Sequence, residues 1–240
     1  MGFGQAEYEL RCEWGLQGML HLAATSDAVI VVDILSFSTA ADIVVANGGF
    51  VLPYRWKDES AAEFAKTQNA QLASSRSQSS YSLSPASLLG VPSGTALVLP
   101  SPNGSTICLS AGGATTYAGC LRNATAIAAH LRQSARRVAV IPAGERWPDE
   151  SLRPCLEDWI GAGAMLSMLP GSRSPEAELA VAAFERFGDD LPGAFTRCTS
   201  GQELVERGFQ SDIELAAEYA VSSAVPVLVG DRFVNAALRS

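Results

Sequence analysis

The stretch Ala28–Ala46 reads AVIVVDILSFSTAADIVVA. Ala28–Val32 is an unbroken apolar run dominated by Val and Ile, the composition of a strand buried on both faces. Asp33 ends the run, and Thr39–Ala46 carries apolar residues at helical spacing. A buried strand that passes through a polar residue into a helix is half of a βαβ unit. The pattern recurs along the chain. Phe50–Pro53, Ala96–Leu99, Thr115–Gly119, Val138–Ile141 and Val225–Val229 read as further buried strands. Glu59–Gln68, Ala124–Gln133, Cys155–Leu169, Glu176–Phe187, Gln202–Arg207 and Ile213–Val221 read as helices. This alternation predicts an α/β fold: three α/β/α layers around a sheet that is largely parallel, with room for a mixed edge. Tyr8–Trp14 alternates polar and apolar residues and predicts a half-exposed edge strand, where an antiparallel partner is admissible.

Two stretches interrupt the pattern. Ser74–Ser87 is Ser-rich and aperiodic, which fits a flexible surface loop or an ordered binding loop. Gly144–Pro154 is polar with two prolines and predicts a long strand-to-helix loop. The βα alternation resumes after each, so residues 1–240 read as one domain.

Charge and residue counts bound the chemistry. Seventeen basic and twenty-five acidic side chains give the 240 residues a net charge of −8. No basic stripe is present to displace counterions, which argues against nucleic-acid or anionic-membrane partners. His21 and His130 are the only histidines, and Lys57 and Lys66 the only lysines. A His-rich metal centre and a Walker phosphate loop are excluded. The five cysteines are scattered without C-x-x-C spacing and read as reduced thiols. With no signal-peptide pattern and no long apolar span, the expectation is a cytoplasmic chain.

Polar residues collect where strands end. Asp33 follows the first strand, Ser101–Thr106 follows Ala96–Leu99, Arg122 and Asn123 follow Thr115–Gly119, and Glu145 follows Val138–Ile141. In a parallel sheet these ends share one edge, where ligands bind. Asp33 is either a helix N-cap or a metal ligand or general base. Ser36, Ser38 and Thr39 could each cap instead. Asn103-Gly104-Ser105-Thr106 suits a turn whose amides cradle an oxyanion. Glu157 and Asp158 open a helix, where the dipole favours acids in any case. Gly161 and Gly163 inside that helix predict close packing on a neighbour. Leu166 stands where a dinucleotide fingerprint needs Gly. Asp33, Glu145, Glu157 and Asp158 are hard oxygen donors of the kind Mg²⁺ takes, and Arg55, Arg76 or Arg122 could clamp an anion. The D-x-D, Cys-x5-Arg, R-H-G and G-x-S-x-G hydrolase motifs are all missing.

Taken in order, VVDILSFSTA (Val31–Ala40), PSPNGST (Pro100–Thr106), GCLRNA (Gly119–Ala124), PAGE (Pro142–Glu145) and EDWIGAGA (Glu157–Ala164) resemble the 2-phosphosulfolactate phosphatase (ComB) family. SLSP (Ser82–Pro85) and GFQSDIELAAEY (Gly208–Tyr219) add weaker matches. The resemblance implies a ComB-like α/β/α fold and a Mg²⁺-dependent phosphomonoester hydrolase. The family acts on 2-phospho-3-sulfolactate in coenzyme M biosynthesis, and a homodimer is implied. It places Asp33, Asn103 and Glu145 in catalysis and Asp33, Glu145, Glu157 and Asp158 at the metal. Their places at strand ends and in loops beside them put Ser38, Arg76, Ser101, Gly104, Ser105, Thr106, Arg122 and Asn123 on the substrate. Ser36 stands where the family commonly has Arg, so Arg76, Arg55 or Arg122 is expected to take its place. The alternatives are a non-catalytic or substrate-altered anion-binding member, and, on fold class alone, a nucleotide-binding oxidoreductase.

Overall fold

A computed structural model describes residues 4–74 and 81–238. Its strands are β1 Leu10–Cys12, β2 Ala28–Val32, β3 Phe50–Tyr54, β4 Gln71–Leu72, β5 Ala96–Pro100, β6 Thr115–Gly119, β7 Val138–Pro142, β8 Glu145–Arg146, β9 Leu152–Arg153, β10 Pro226–Val229 and β11 Arg232–Asn235. The α-helices are α1 Gly15–Leu22, α2 Phe37–Ala46, α3 Ser60–Thr67, α4 Gly104–Cys108, α5 Ala124–Ser134, α6 Leu156–Met168, α7 Pro175–Phe187, α8 Leu191–Arg197, α9 Thr199–Glu206 and α10 Gln210–Ala217. Among the described residues no helix is long and apolar enough to cross a membrane.

Nine strands form one sheet in the order β1-β7-β2-β6-β10-β11-β3-β5-β4. β2 pairs in parallel with β6 and β7 over its whole length, which is why all five of its residues are buried. Successive side chains of a strand point to opposite faces. Ile30 and Val32 accordingly join a core with α5, α6 and α7. Val29 and Val31 join a second core with Met19, Phe37, Val44 and Ile107 from α1, α2 and α4. That arrangement is the expected three-layer α/β/α sandwich.

The sheet is mixed in a specific way. β1, β7, β2 and β6 form one parallel block, and β3, β5 and β4 form another. The β10–β11 hairpin joins them through antiparallel pairings on each side, so the blocks run in opposite senses. Four strands separate β2 from β5 in the sheet order. In a flat sheet, five steps of about 4.8 Å would part them by roughly 24 Å. Yet the Gly104 amide, just beyond β5, donates to the carboxylate of Asp33, just beyond β2, at 3.1 Å. The sheet therefore coils around α2 and α4, and the second core draws on Val51, Leu97 and Leu99 of the far block as well.

Three sequence expectations shift. β1 is an edge strand, but it pairs in parallel with β7 and is fully buried. Arg11 is covered because its guanidinium is bonded by Thr25 and Ser26. Gly144–Pro154 contains a small hairpin, β8–β9. The two helix glycines do mark close packing, each against a different neighbour. A Cβ on Gly161 would sit 2.7–2.8 Å from side-chain atoms of Ile34 and Val32, and one on Gly163 would sit 2.0 Å from the Ala180 carbonyl of α7.

Candidate active site

Asp33 is 9% exposed at the C-terminal end of β2. Its Oδ1 accepts the Phe37 amide at the start of α2 and its Oδ2 accepts the Gly104 amide at the start of α4, each at 3.1 Å. Asp33 thus ties two helix starts together while facing a cleft. Gly104 is required by this approach, because a Cβ there would lie 2.6 Å from Asp33 Oδ2 and 2.6 Å from the Phe37 ring. The Ser101 hydroxyl also accepts the Gly104 amide, at 3.1 Å.

Asn103 holds the N-cap position of α4 but makes no cap bond. Its side chain turns outward instead, and its amide donates to Glu145 Oε2 at 2.8 Å. Arg146 Nε donates to Asn103 Oδ1 at 3.2 Å, and Arg146 Nη1 donates to Glu150 at 2.7 Å. A chain Glu150–Arg146–Asn103–Glu145 therefore fixes the direction of the Glu145 carboxylate.

Asp33, Asn103 and Glu145 line one cleft of about 410 Å³, together with Ser36, Ser101, Lys57, Arg146 and Arg207. Burial, and then the nearby Glu145 charge, push the Asp33 carboxyl up to about 7; the Phe37 and Gly104 amides and Lys57 pull the other way. Burial dominates because desolvation penalises the charged form.

The remaining acids sit behind this cleft. Asp158 Oδ1 accepts the Ile34 amide and Oδ2 the Gly144 amide, both at 2.8 Å. It clamps the exit of β2 to the exit of β7, which sets Asp33 and Glu145 opposite each other. Burial, with Glu157 and Asp33 nearby, holds the Asp158 carboxyl well above its ordinary range. Glu157 is buried and accepts the Cys198 thiol at 3.2 Å. Both acids face inward from α6, so of the four carboxylates expected at a metal only Asp33 and Glu145 line the cleft. Among the described residues no three His, Cys, Asp or Glu side chains are gathered as a metal cage. Two carboxylates at an open, polar cleft fit Mg²⁺, which keeps waters and takes substrate oxygens for its other positions.

Several expected substrate contacts have structural partners. Ser38 is buried, donates to the Val31 carbonyl and accepts the Asp33 amide. Ser105 is buried and donates to the Leu99 carbonyl. Asn123 is buried, accepts the Cys120 amide and donates to the Ala118 carbonyl. Arg122 pairs with buried Asp42 at 3.1 Å and with Glu218. Thr106 is half-buried, lines a neighbouring hollow on the other side of Asn103, and gives its carbonyl to Arg55. Arg55 also bonds the Leu109 carbonyl and Ser110 at the end of α4, so it is not an anion clamp either. Arg76 lies outside the described residues. The strand-end rule placed these residues in the right turns but could not say which side chains turn inward to hold the turn.

The cleft cations Lys57, Arg146 and Arg207 were not among the sequence candidates. Lys57 lies just past β3 and obeys the same strand-end rule. Arg146 is adjacent to Glu145. Arg207, between α9 and α10, carries no local signal.

The fold and the site together define a class: an α/β protein whose strand ends gather two carboxylates, an amide and three cations around a cleft of small-molecule size. Comparison with known proteins then gives the family. The chain belongs to the 2-phosphosulfolactate phosphatase family, whose model matches residues 17–231. Over 71 residues it is also 37% identical to the probable 2-phosphosulfolactate phosphatase of Gloeobacter violaceus, a match that spans 30% of each chain.

Proposed function

We propose that the chain is a Mg²⁺-dependent phosphatase that hydrolyses a small anionic phosphomonoester of the 2-phospho-3-sulfolactate kind to the alcohol and phosphate. The observation that carries this reading is the Asp33–Glu145 pair, held by fixed donors in a cleft that also presents Lys57, Arg146 and Arg207. Asp33 and Glu145 would hold Mg²⁺, which supplies charge neutralisation at phosphoryl oxygens and an acidified water. Lys57, Arg146 and Arg207 bind the phosphate and balance charge as the ester bond lengthens. Asp33 takes the proton of the attacking water. The carboxylates are fixed before substrate arrives, which limits reorganisation during the reaction. A homodimer is part of the proposal from family resemblance alone, and a cytoplasmic location from the scattered cysteines and the lack of a signal-peptide pattern.

The test is phosphate release from 2-phospho-3-sulfolactate and a panel of small phosphomonoesters, with Mg²⁺ and with chelator. Metal-dependent release that is lost in Asp33→Asn supports the reading. No release from any ester under any condition removes it.

One observation favours a second reading, a family member with an altered substrate. Ser36 lines the cleft where the family resemblance leads one to expect Arg. The cleft cations come from other segments, so they meet a substrate anion from different directions. Release from other esters without release from 2-phospho-3-sulfolactate selects this reading.

A further inference from the structure

We infer that the Asp33 cleft receives only the phosphoryl end of the substrate, and that a second cavity beside it receives an apolar body carried by the same phosphomonoester. The inference rests on the phosphatase reading above in its second, altered-substrate form, since 2-phospho-3-sulfolactate itself carries no apolar body. The second cavity measures about 380 Å³, within the usual range for small-ligand sites. Lys57, Leu83 and Arg207 line both spaces, so the two adjoin. Its other walls include Ala61, Leu72, Ala73 and Pro100. Ala61 and Ala73 are 2% and 4% exposed, and their small side chains leave the space open.

The position follows from the sheet. Ligands in α/β proteins bind outside the carboxyl ends of parallel strands. Asp33 and Glu145 follow the carboxyl ends of β2 and β7. The second cavity lies at the carboxyl ends of β3, β4 and β5, marked by Lys57, Ala73 and Pro100. The coil of the sheet brings the two blocks' crevices together, with Lys57 and Arg207 at the junction. Beyond the junction the charged residue among the described lining is Asp58, whose carboxylate accepts the Ser60 amide at 3.0 Å. A second anion placed that deep would face Asp58, whereas an apolar group would meet Leu72, Ala73 and Leu83.

The experiment compares ethyl phosphate with n-hexyl phosphate on the full chain with Mg²⁺, in the native protein, Leu72→Trp and Ser74→Trp. Leu72 and Ser74 line only the second cavity. The native protein should favour the hexyl ester in kcat/KM by about tenfold or more, the scale at which apolar pockets discriminate added methylenes. Either Trp variant should bring the hexyl ester to within about twofold of the ethyl ester and leave the ethyl ester unchanged. No hexyl preference in the native protein, or an equal loss on both esters in a variant that melts normally, overturns the inference. If neither ester is hydrolysed, the ester panel above decides the phosphatase reading and binding decides the cavity. Hexylphosphonate and ethylphosphonate are then compared by calorimetry. Tighter hexylphosphonate binding that the Trp variants abolish upholds the cavity, and equal binding removes it.

Discussion

Asn103 and Glu145 are 42 residues apart in the chain and joined by a 2.8 Å bond from the Asn103 amide to Glu145 Oε2. Because Arg146 donates to the other end of the same side chain, the Asn103 amide has one orientation in which both bonds are made. Asn103→Ala is expected to lower kcat about tenfold to hundredfold, the worth of a hydrogen bond to a charged group. Arg146→Ala removes one link of the chain and one cleft cation, so it should lower kcat and raise KM together. Steady-state kinetics on the best ester of the panel, beside melting curves, check both.

Gly104 offers a second test. A Cβ there would press within 2.6 Å of Asp33 Oδ2 and of the Phe37 ring, whereas one on Gly113 would meet nothing within 4 Å. Gly104→Ala should destabilise the protein by about 1–3 kcal/mol, as overpacking does, and displace Asp33 with loss of activity. Gly113→Ala should melt and turn over like the native protein. Equal melting temperatures for the two variants would contradict the packing described here.

The Asp33 carboxyl gives a signed pH dependence. It is pushed up from 3.8 to about 7 in the folded protein. Between those values the folded state keeps a proton that the unfolded chain has released. The contribution of Asp33 to stability therefore falls as pH rises through that window and levels off above 7. Asp33→Asn should flatten this part of the stability–pH curve measured by denaturant titration. If Asp33 and Glu145 hold Mg²⁺, the ion should raise the melting temperature more at pH 8 than at pH 5, because only ionised carboxylates bind it well.

Arg122 and Arg207 are predicted to fail in different ways. Removing Arg122 leaves Asp42, whose side chain is fully buried, with Ser222 but no cation. Arg122→Ala should cost about 3–5 kcal/mol of stability, the loss seen when a buried pair is broken. Arg207 is exposed at the cleft. Arg207→Ala should leave the melting temperature alone and raise KM for the phosphate ester.

Glu157 and Asp158 are adjacent in sequence, and mutation should separate them. Asp158→Asn can offer only one acceptor oxygen to the two amides of Ile34 and Gly144. It should destabilise the protein by about 1–3 kcal/mol through the unsatisfied donor and reduce activity by loosening Asp33 from Glu145. Glu157→Gln faces Cys198 and should keep activity within about threefold, because it removes no group from the cleft. A large activity loss in Glu157→Gln with normal melting would return Glu157 to the site.

The sequence by itself determined the layers. β2 and β6 stand at Ala28–Val32 and Thr115–Gly119 as predicted, and β2, buried on both faces, carries the unbroken apolar signature of such a strand. It also singled out Asp33, Asn103 and Glu145, because polar residues at strand ends stand out against that background. It could not orient side chains within a turn. Ser38, Ser105 and Asn123 share their turns with cleft residues yet bond inward, since the buried amides and carbonyls of those turns require partners. Nor could it show that the sheet runs in two opposed blocks. That depends on the β10–β11 hairpin from the end of the chain inserting between β6 and β3, a long-range pairing with no local signature. Only the tertiary structure decided that the sheet coils, and the coil is what places the Gly104 amide on Asp33, Asn103 on Glu145, and Lys57 and Arg207 at the mouth they share.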